Sequence, residues 1–430
     1  MGGLSATTPK VHTLSNGVRV VCDPIPGLQT VALSVVAGRG ARWEDEARSG
    51  WSHLLEHLVF KGAGGRDARA LIERIENAGG SLNADTGQER TSFHARVLHG
   101  DLELALSSLS DLMFRPTLDP VEIEREKDVV AQEIAEAFDT PDDCVFDLAQ
   151  GQAFAGQPLG RPILGTNDSL KHADRAAISD WRARLYAPER MVVSVSGAVD
   201  EAELLTLAER WFGEAPGGGG GAPEPARFVG GAAGDARRIE QANLVFQLPG
   251  LASTDPDTPA LALLVEVLGG GMASRLFQEA REERGLAYAV DAGFETFGDA
   301  GLVNVYAGTA PDKAADMAQL AGEALARLSD GVTDAELSRA RAQALAGLYM
   351  SLESPAQRAE RHAFQALTWG RPIPAEETAG KVRAVTPDDL KRVAARLLEP
   401  GRSAAAVVGP KAAGKAPDAF SRSLFGQAAA

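Results

Sequence analysis

The chain has 430 residues, 44% of them hydrophobic and 24% charged, and carries a formal net charge of −16. This length exceeds what one hydrophobic core supports and predicts at least two domains. The acidic balance argues against binding to nucleic acid or to an anionic membrane, and no stretch has the length of a membrane span. Cys22 and Cys144 stand far apart and form no C-x-x-C pattern, which argues against a disulfide framework and a thiolate metal site. Because the first ten residues contain no apolar targeting segment, we expect a cytoplasmic protein.

Periodicity and turn residues predict a chain that alternates short strands with helices. In the first half, strands are predicted at 18–21, 30–37, 81–85, 91–98 and 191–196, and helices at 49–61, 68–77, 101–113, 121–137, 174–185 and 201–212. In the second half, strands are predicted at 242–247, 287–294 and 301–308, and helices at 259–268, 313–328 and 333–350. The order of these elements indicates a mixed α/β unit that occurs twice.

A glycine- and proline-rich stretch at the middle of the chain, residues 216–226, is predicted to be a flexible linker. It separates a first domain, 1–215, from a second domain, 227–430. Aligning 263–267 with 53–57 keeps the glutamate and the apolar positions, whereas both histidines of the first segment become aliphatic. We therefore predict two copies of one fold, of which only the first carries a metal site.

Residues 53–57 read H-x-x-E-H and hold two of the seven histidines in the chain. On a helix, residues four apart lie one turn apart on the same face, so His53 and His57 can both face one metal ion. Glu56 lies beside them, and the neighbouring leucines indicate that the helix packs into a core. This order of residues is the inverted form of the zinc-protease helix. The alternative is a pair of buried histidines that bind polar groups of the protein.

Two histidines do not complete a zinc site, because a hydrolytic zinc ion takes three protein ligands and keeps one position for water. The long charged helix predicted at 121–137 offers five glutamates as a third ligand: Glu122, Glu124, Glu126, Glu133 and Glu136. Glu126 and Glu133 are seven residues apart and share one face of this helix, which is partly apolar. A carboxylate that faces a core needs a partner, and a metal ion is a strong one.

These motifs resemble those of the pitrilysin-like (inverzincin) zinc metallopeptidases, the family of insulin-degrading enzyme and of the mitochondrial processing peptidase. Residues 53–62 resemble the metal helix of that family, and residues 124–134 resemble its second motif. The resemblance implies that Glu133 is the third ligand of one Zn²⁺ per chain. It also implies that Glu126 supports the site without binding the metal.

The resemblance further implies a fold and an activity. We expect an α+β protein of two homologous domains, each a mostly antiparallel sheet with helices packed on one face. We expect a zinc-dependent endopeptidase that hydrolyses peptides or unfolded polypeptide segments, in a chamber between the domains or within a dimer. Members of this length act as homodimers or as heterodimers with a related subunit, so the alternative function is a non-catalytic or partner-dependent subunit of a heteromeric peptidase. A metal-dependent hydrolase of a non-peptide bond is a third candidate.

Glu56 is predicted to be the general base, which takes a proton from the attacking water and returns it to the leaving amine. By resemblance, Asn83 and Ala84 belong to an edge strand that binds the main chain of the substrate. Binding through main-chain hydrogen bonds predicts broad tolerance of substrate sequence. Asn83 also suits an ordinary turn after two glycines, which is the alternative for this residue.

The second domain contributes another candidate pair. Residues 268–277 and 281–288 resemble the second-domain signature of the processing-peptidase branch, which implies that Arg281 and Tyr288 reach the active site and stabilise the oxyanion. Without that role, Arg281 is a solvated helix charge and Tyr288 a half-buried strand aromatic. The remaining histidines have no ligand spacing and are predicted to be surface or loop residues: His12, His94, His99, His172 and His362.

Overall fold

The structure, a computed structural model, describes residues 9–215, 221–399 and 401–426. The chain divides into two compact units, each built around one large sheet. Unit 1 consists of Met1–Ile134, Pro162–Pro223 and Leu348–Glu377, and unit 2 of Ala135–Arg161, Glu224–Gly347 and Thr378–Ala430. The predicted α+β class with two sheet-containing domains is confirmed. Residues 216–220 of the predicted linker lie outside the described residues, and the domain boundaries at 1–215 and 227–430 stay predictions.

The strands are short and are distributed over the whole chain. In chain order they are β1 (Lys10–Thr13), β2 (Arg19–Pro24), β3 (Thr30–Ala37), β4 (Gly62–Ala63), β5 (Arg66–Asp67), β6 (Ser81–Thr86), β7 (Thr91–Leu98), β8 (Met191–Gly197), β9 (Gly231–Ala236), β10 (Ala242–Pro249), β11 (Ala287–Thr296), β12 (Gly301–Thr309) and β13 (Ala404–Gly409).

The helices occupy most of the remaining chain. They are α1 (Trp51–Val59), α2 (Ala68–Glu76), α3 (Leu102–Phe114), α4 (Pro120–Asp139), α5 (Pro141–Ala153), α6 (Asn167–Leu170), α7 (Arg175–Leu185), α8 (Glu201–Phe212), α9 (Thr258–Gly269), α10 (Ala314–Ala326), α11 (Asp334–Ser351), α12 (Pro355–Trp369), α13 (Ala375–Ala384), α14 (Pro387–Leu397) and α15 (Ala416–Phe425). The chain also forms a 3₁₀ turn at Ala41–Trp43 and a π-helical segment at Phe277–Glu283. None of the helices described here combines the length and apolar character needed to cross a bilayer.

Both sheets are mostly antiparallel, as predicted. Unit 1 contains a six-stranded sheet with the order β1-β2-β8-β3-β7-β6, and unit 2 a five-stranded sheet with the order β11-β12-β10-β13-β9. Each sheet has one parallel pair, β2 with β8 in unit 1 and β9 with β13 in unit 2. The remaining neighbours pair antiparallel, and β4 and β5 form a separate two-stranded ladder. In this order, β6 and β11 each lie at an edge of their sheet.

The core of unit 1 lies between the sheet and the helix that carries the H-x-x-E-H motif. Side chains alternate between the two faces of a strand, so Val31, Leu33 and Val35 of β3 point to the same face. They share this core with Leu54 and Leu55 of α1, which are fully buried. Burying side chains of this size stabilises a fold by about 1.5–3 kcal/mol each. Helix α1 is therefore fixed in place by its own leucines.

The opposite face of the unit 1 sheet is covered by α12, which comes from the far end of the sequence. Val21, Val36 and Val192 of the sheet pack against Ala363 and Ala366 of this helix. The resemblance implied helices on one face of the sheet, whereas α12, which the sequence did not predict, covers the other face. Its partner strands lie far earlier in the chain, and local periodicity does not specify such a pairing.

In unit 2, α5 packs on the sheet in a similar way. Val145 and Ala149 of α5 are buried against Val245 of β10 and against Ala406 and Val408 of β13. α5 belongs to the first half of the sequence and α12 to the second half. Each compact unit thus contains one helix from the opposite half of the chain.

A buried ion pair fastens α12 to the sheet of unit 1. Arg358 donates from Nη2 and Nε to the two oxygens of Asp23 at 2.6 and 2.7 Å, and Ser196 donates to the same carboxylate at 2.9 Å. Burial alone would raise the pKa of Asp23, but the adjacent His362 and Arg358 hold that pKa well below its usual range. His362 is 5% exposed, so the surface position predicted for it is wrong. The histidine is buried because it faces Asp23 from α12.

Replacing Arg358 by methionine should destabilise the protein strongly, because the buried Asp23 carboxylate then loses both hydrogen bonds from the guanidinium. We expect the free energy of unfolding to fall by about 3–5 kcal/mol, measured by denaturant unfolding at neutral pH. Arg210→Met is the matched control, since Arg210 pairs with Glu103 at the surface, where a pair contributes about 1 kcal/mol or less. Equal losses of stability in the two variants would contradict the role given to the buried pair.

Candidate metal centre

Helix α1 presents two imidazoles on one side. His53 and His57 are four residues apart, and their ring centroids lie 4.7 Å apart at an interplanar angle of 64°. Their side chains are 15% and 18% exposed, whereas Leu54 and Leu55 between them are buried in the core. The helical spacing therefore places both rings together at the partly exposed side of α1.

Helix α4 brings a carboxylate to the same place. Glu133 Oε2 lies 3.8 Å from Nε2 of His53 and 3.5 Å from Nε2 of His57. One ligand atom from each of these residues lies within 4.8 Å of the others, and no second cluster of this kind occurs in the part of the chain that the structure describes. The two histidines of the motif and the glutamate that the resemblance selects are thus brought together.

The donor set fits a divalent cation. Glu133 Oε2 is buried and has no hydrogen-bond partner among the described residues. A buried carboxylate oxygen without a partner is costly, and a bound cation removes that cost. Two imidazole nitrogens and one carboxylate oxygen form the ligand set of catalytic zinc sites, which keep a fourth position open. His53, His57 and Glu133 could therefore hold Zn²⁺ and leave room for a water molecule.

Glu126 lies behind His57 and not among the metal ligands. Its Oε2 is 3.1 Å from His57 Nδ1, and its Oε1 is 2.8 Å from Lys61 Nζ. Glu126 is 3% exposed, so Lys61 supplies the positive charge that a buried carboxylate requires. An N–H at Nδ1 that donates to Glu126 leaves the Nε2 lone pair of His57 free for a metal ion. Lys61 was not singled out from the sequence, and it lies in the turn that follows the end of α1 at Val59.

Glu56 lies next to this cluster and is held by a threonine. Thr86 Oγ1, at the end of β6, donates to Glu56 Oε2 at 2.6 Å. Burial raises the pKa of Glu56, while the hydrogen bond from Thr86 and the nearby His57 oppose this rise. A carboxylate with a raised pKa accepts a proton more readily at neutral pH. Thr86 has no local sequence signal, because its contact with Glu56 depends on where β6 ends beside α1.

Asn83 and Ala84 lie on the edge strand β6. Within the described chain β6 pairs only with β7, in the register Asn83 with His94 and Ala84 with Phe93. Ala84 is buried in the core of unit 1, whereas Asn83 is exposed. An edge of this kind presents main-chain groups that an extended peptide could bind. The substrate-binding role of both residues stays a prediction.

Arg281 and Tyr288 belong to unit 2. Arg281 lies in the π-helical segment, where its guanidinium carbon is 5.0 Å from the centroid of the Phe277 ring. Tyr288 lies on the edge strand β11 and is 60% exposed, more than the half-buried strand aromatic of the alternative interpretation. The role of both residues in catalysis stays a prediction.

In the predicted repeat, helix α9 of the second half corresponds to α1, the helix with the H-x-x-E-H motif. Leu263 and Val267, which align with the two histidines, are buried in the core of unit 2. These aliphatic side chains pack against neighbouring apolar groups and offer no ligand atom. The absence of a metal site from the second domain stays a prediction.

The chain has two α+β units, and one of them carries an H-x-x-E-H helix beside a glutamate on a second helix. This combination is typical of a class of metallopeptidases. Two family models match this chain: "Insulinase (Peptidase family M16)" over residues 19–167 and "Peptidase M16 inactive domain" over residues 172–344. The chain belongs to peptidase family M16, which confirms the resemblance to the pitrilysin-like enzymes.

Similar proteins cover nearly the whole chain. An uncharacterized zinc protease of Mycobacterium leprae is 35% identical over 410 residues, which are 94% of this chain and 92% of the relative. The uncharacterized zinc protease YmxG of Bacillus subtilis is 35% identical over 392 residues, 90% of this chain and 95% of the relative. A protease from Helicobacter pylori has a TM-score of 0.87 at 21% identity, covering 94% of this chain and 100% of the other. A structure of a peptidase M16 inactive domain from Pseudomonas fluorescens has a TM-score of 0.87 at 20% identity, covering 94% of this chain and 98% of the other. Both structures share the fold.

The metal-free protein should lose stability as the pH falls below about 6.5, because His53 is neutral in the folded state. Burial and the nearby His57 lower the pKa of His53 to about 4. Between this value and the unfolded value, the unfolded state binds a proton that the folded state does not, so the free energy of unfolding should fall by about 3 kcal/mol from pH 6.5 to pH 4. Urea unfolding of chelator-treated protein across this range measures the change.

The variant His53→Gln isolates this contribution, since other groups titrate in the same range. Its stability should depend less on pH than that of the unchanged protein. His99→Gln, at an exposed histidine, is the matched control and should keep the full dependence. An unchanged slope in His53→Gln would show that His53 is not the titrating group.

Proposed function

We propose that this protein is a zinc-dependent endopeptidase that binds one Zn²⁺ per chain through His53, His57 and Glu133. The observation that carries the proposal is the cluster of these three side chains, with ligand atoms within 4.8 Å of one another and Glu56 beside them. Membership of peptidase family M16 and the names of the relatives as zinc proteases support the metal and the reaction class.

The chemistry needs an activated water and a polarised carbonyl. Zn²⁺ at this site would supply both, by lowering the pKa of a water molecule towards about 7 and by acting as a Lewis acid on the scissile carbonyl. Glu126 supports this role, because a carboxylate next to Nδ1 favours the tautomer of His57 that leaves Nε2, 3.5 Å from Glu133 Oε2, free to bind the metal. Among these three ligands only the carboxylate carries a negative charge. A divalent ion held by them would therefore keep part of its positive charge for the substrate carbonyl.

Glu56 acts as the proton carrier in this proposal. Its carboxylate accepts a proton from the attacking water and delivers the proton to the amine that leaves. The burial of Glu56 raises its pKa, which favours proton acceptance, and the hydrogen bond from Thr86 holds one oxygen in place. The second oxygen is then the one that takes the proton.

The substrate in this proposal is an extended peptide or an unfolded polypeptide segment. The edge of β6 that no other described strand pairs with supports it, because a peptide added as a further strand is bound through main-chain hydrogen bonds. Thr86 is the last residue of the same strand and contacts Glu56. A peptide bound along Asn83 and Ala84 would therefore pass next to the general base, and its sequence would matter little for binding.

Glu56→Gln should lower kcat for hydrolysis of an unstructured peptide by about 10²–10⁴-fold, because the amide cannot accept the proton. Zinc content should stay at one per chain, since Glu56 is not one of the three ligands. Glu133→Gln should instead lose both metal and activity. Metal analysis of the purified variants, alongside the peptide assay, separates the two effects.

Glu136→Gln is the matched control on α4, because Glu136 is exposed and lies three residues after Glu133. It should keep both zinc and activity. Full peptide hydrolysis by Glu56→Gln at unchanged zinc content would show that the base is assigned to the wrong residue.

The alternative function, a subunit that requires a partner or does not cut at all, makes a different prediction for the isolated chain. The presence of all three ligands and of Glu56 favours a catalytic chain over a non-catalytic one. Size-exclusion chromatography coupled to the peptide assay distinguishes these functions. Activity that co-elutes with this chain alone supports the endopeptidase, whereas an inert zinc-loaded chain that gains activity with a related subunit supports the partner-dependent function.

A further inference from the structure

The first turn of α1 lacks the usual side-chain cap. Its N-cap residue is Gly50, which has a φ of +88° and makes no capping hydrogen bond through a side chain. A Cβ at this position would lie 2.5 Å from the main-chain oxygen of Leu164, so both the backbone angle and the space require glycine. A helix leaves its first N–H groups without partners inside the helix, and Gly50 offers no side-chain acceptor for them.

A buried carboxylate from outside the helix accepts hydrogen bonds from the first N–H groups of α1. Glu44 Oε2 accepts from the main-chain N–H of Gly50 at 2.7 Å, and its Oε1 accepts from the N–H of Ser52 at 2.7 Å. Glu44 is 2% exposed. A carboxylate is tolerated in such a position when charged hydrogen bonds replace water, and the positive end of a helix dipole favours it further. By contrast, α2 is capped by its own exposed N-cap residue, Asp67.

Glu44 also links α1 to the end of strand β6. The 3₁₀ turn that precedes it is bonded to the segment after β6, through Ala41 N to Gly87 O at 3.1 Å and Arg42 N to Gln88 O at 2.8 Å. Thr86, which donates to Glu56, directly precedes that segment. One short stretch of chain thus joins the first turn of the metal helix to the strand end that holds the proposed base.

The two histidines of α1 differ in how they are held. His57 Nδ1 contacts Glu126, whereas His53 Nδ1 is buried and has no hydrogen-bond partner among the described residues. The placement of His53 therefore depends on the backbone of the first turn, and Ser52, its immediate neighbour, is bound by Glu44. Metal sites require their ligands within about 0.5 Å of the productive geometry.

We propose that Glu44 is a positioning residue of the metal centre, whose buried carboxylate fixes the first turn of α1 so that His53 meets His57 and Glu133 at one ion. This inference rests on the proposed function, in which these three side chains bind Zn²⁺. It adds a residue that touches neither the metal nor the substrate and that acts through two main-chain N–H groups.

The test measures zinc binding by the folded protein. Glu44→Gln replaces one acceptor oxygen by an NH₂ donor, and Glu44→Asp shortens the side chain while keeping its charge. Competition of the metal-free proteins with a chromophoric chelator gives the zinc affinity, and circular dichroism with thermal unfolding shows that each variant is folded. We expect zinc affinity to fall by about 10–100-fold, the scale seen when groups that orient metal ligands are removed. With zinc in excess, kcat should fall while KM for the peptide stays unchanged.

Asp67→Ala is the matched control, because it removes the same type of contact from α2 in the same unit. It should lower the unfolding temperature and leave zinc affinity within about twofold. The proposal is wrong if both Glu44 variants fold and bind zinc within about twofold of the unchanged protein. It is also wrong if neither variant folds, because Glu44 would then support the unit as a whole. A zinc-loaded, unchanged protein without peptidase activity would refute the proposed function and leave this binding test intact.

Discussion

The metal centre depends on two helices that are held at a fixed separation by one hydrophobic core. Leu54 and Leu55 of α1 and Ile123 and Val130 of α4 are fully buried in the core of unit 1. The ligand atoms project from the other sides of these helices. Because protein interiors are close-packed, neither helix can shift without opening a cavity or creating a clash. Close packing therefore fixes the separation of less than 4 Å between Glu133 Oε2 and the two imidazoles.

The carboxylates of this region divide according to what neutralises them. Glu126 is buried and faces Lys61, and Glu44 is buried and accepts from the N-terminal N–H groups of α1. Each of these carboxylates is satisfied by the protein itself, so neither requires a metal. Glu133 differs, because its Oε2 is buried between two imidazoles with no hydrogen-bond donor among the described residues. Such an oxygen needs a cation. The contacts of the three glutamates thus distinguish Glu133 from Glu126 and Glu44.

Local patterns in the sequence predicted most elements and the ligand pair. The predicted strand at 91–98 is β7, and the predicted helix at 201–212 is α8, because strong apolar periodicity marks both. Strands β9 and β13 were missed, since glycine and alanine dominate them and no β-branched pattern marks β9. The contacts of Thr86 and Glu44 could not be predicted, because each depends on how a strand end or a loop meets α1. Periodicity describes one element at a time, and these contacts join elements.

The predicted repeat aligns α9 with α1, and these two helices carry different side chains at the aligned positions. In α9, Leu263 and Val267 are buried, and burial of such side chains stabilises a unit by about 1.5–3 kcal/mol each. In α1, the aligned positions hold imidazoles, and the lowered pKa of His53 shows that burial there disfavours its charged form. The first unit therefore lacks apolar packing at these positions, and His53 Nδ1 is buried there without a hydrogen-bond partner among the described residues. The metal ion proposed for this site would offset that cost, because it would bind the folded site and not the unfolded chain. In that proposal, metal binding and the stability of unit 1 are coupled through His53 and His57.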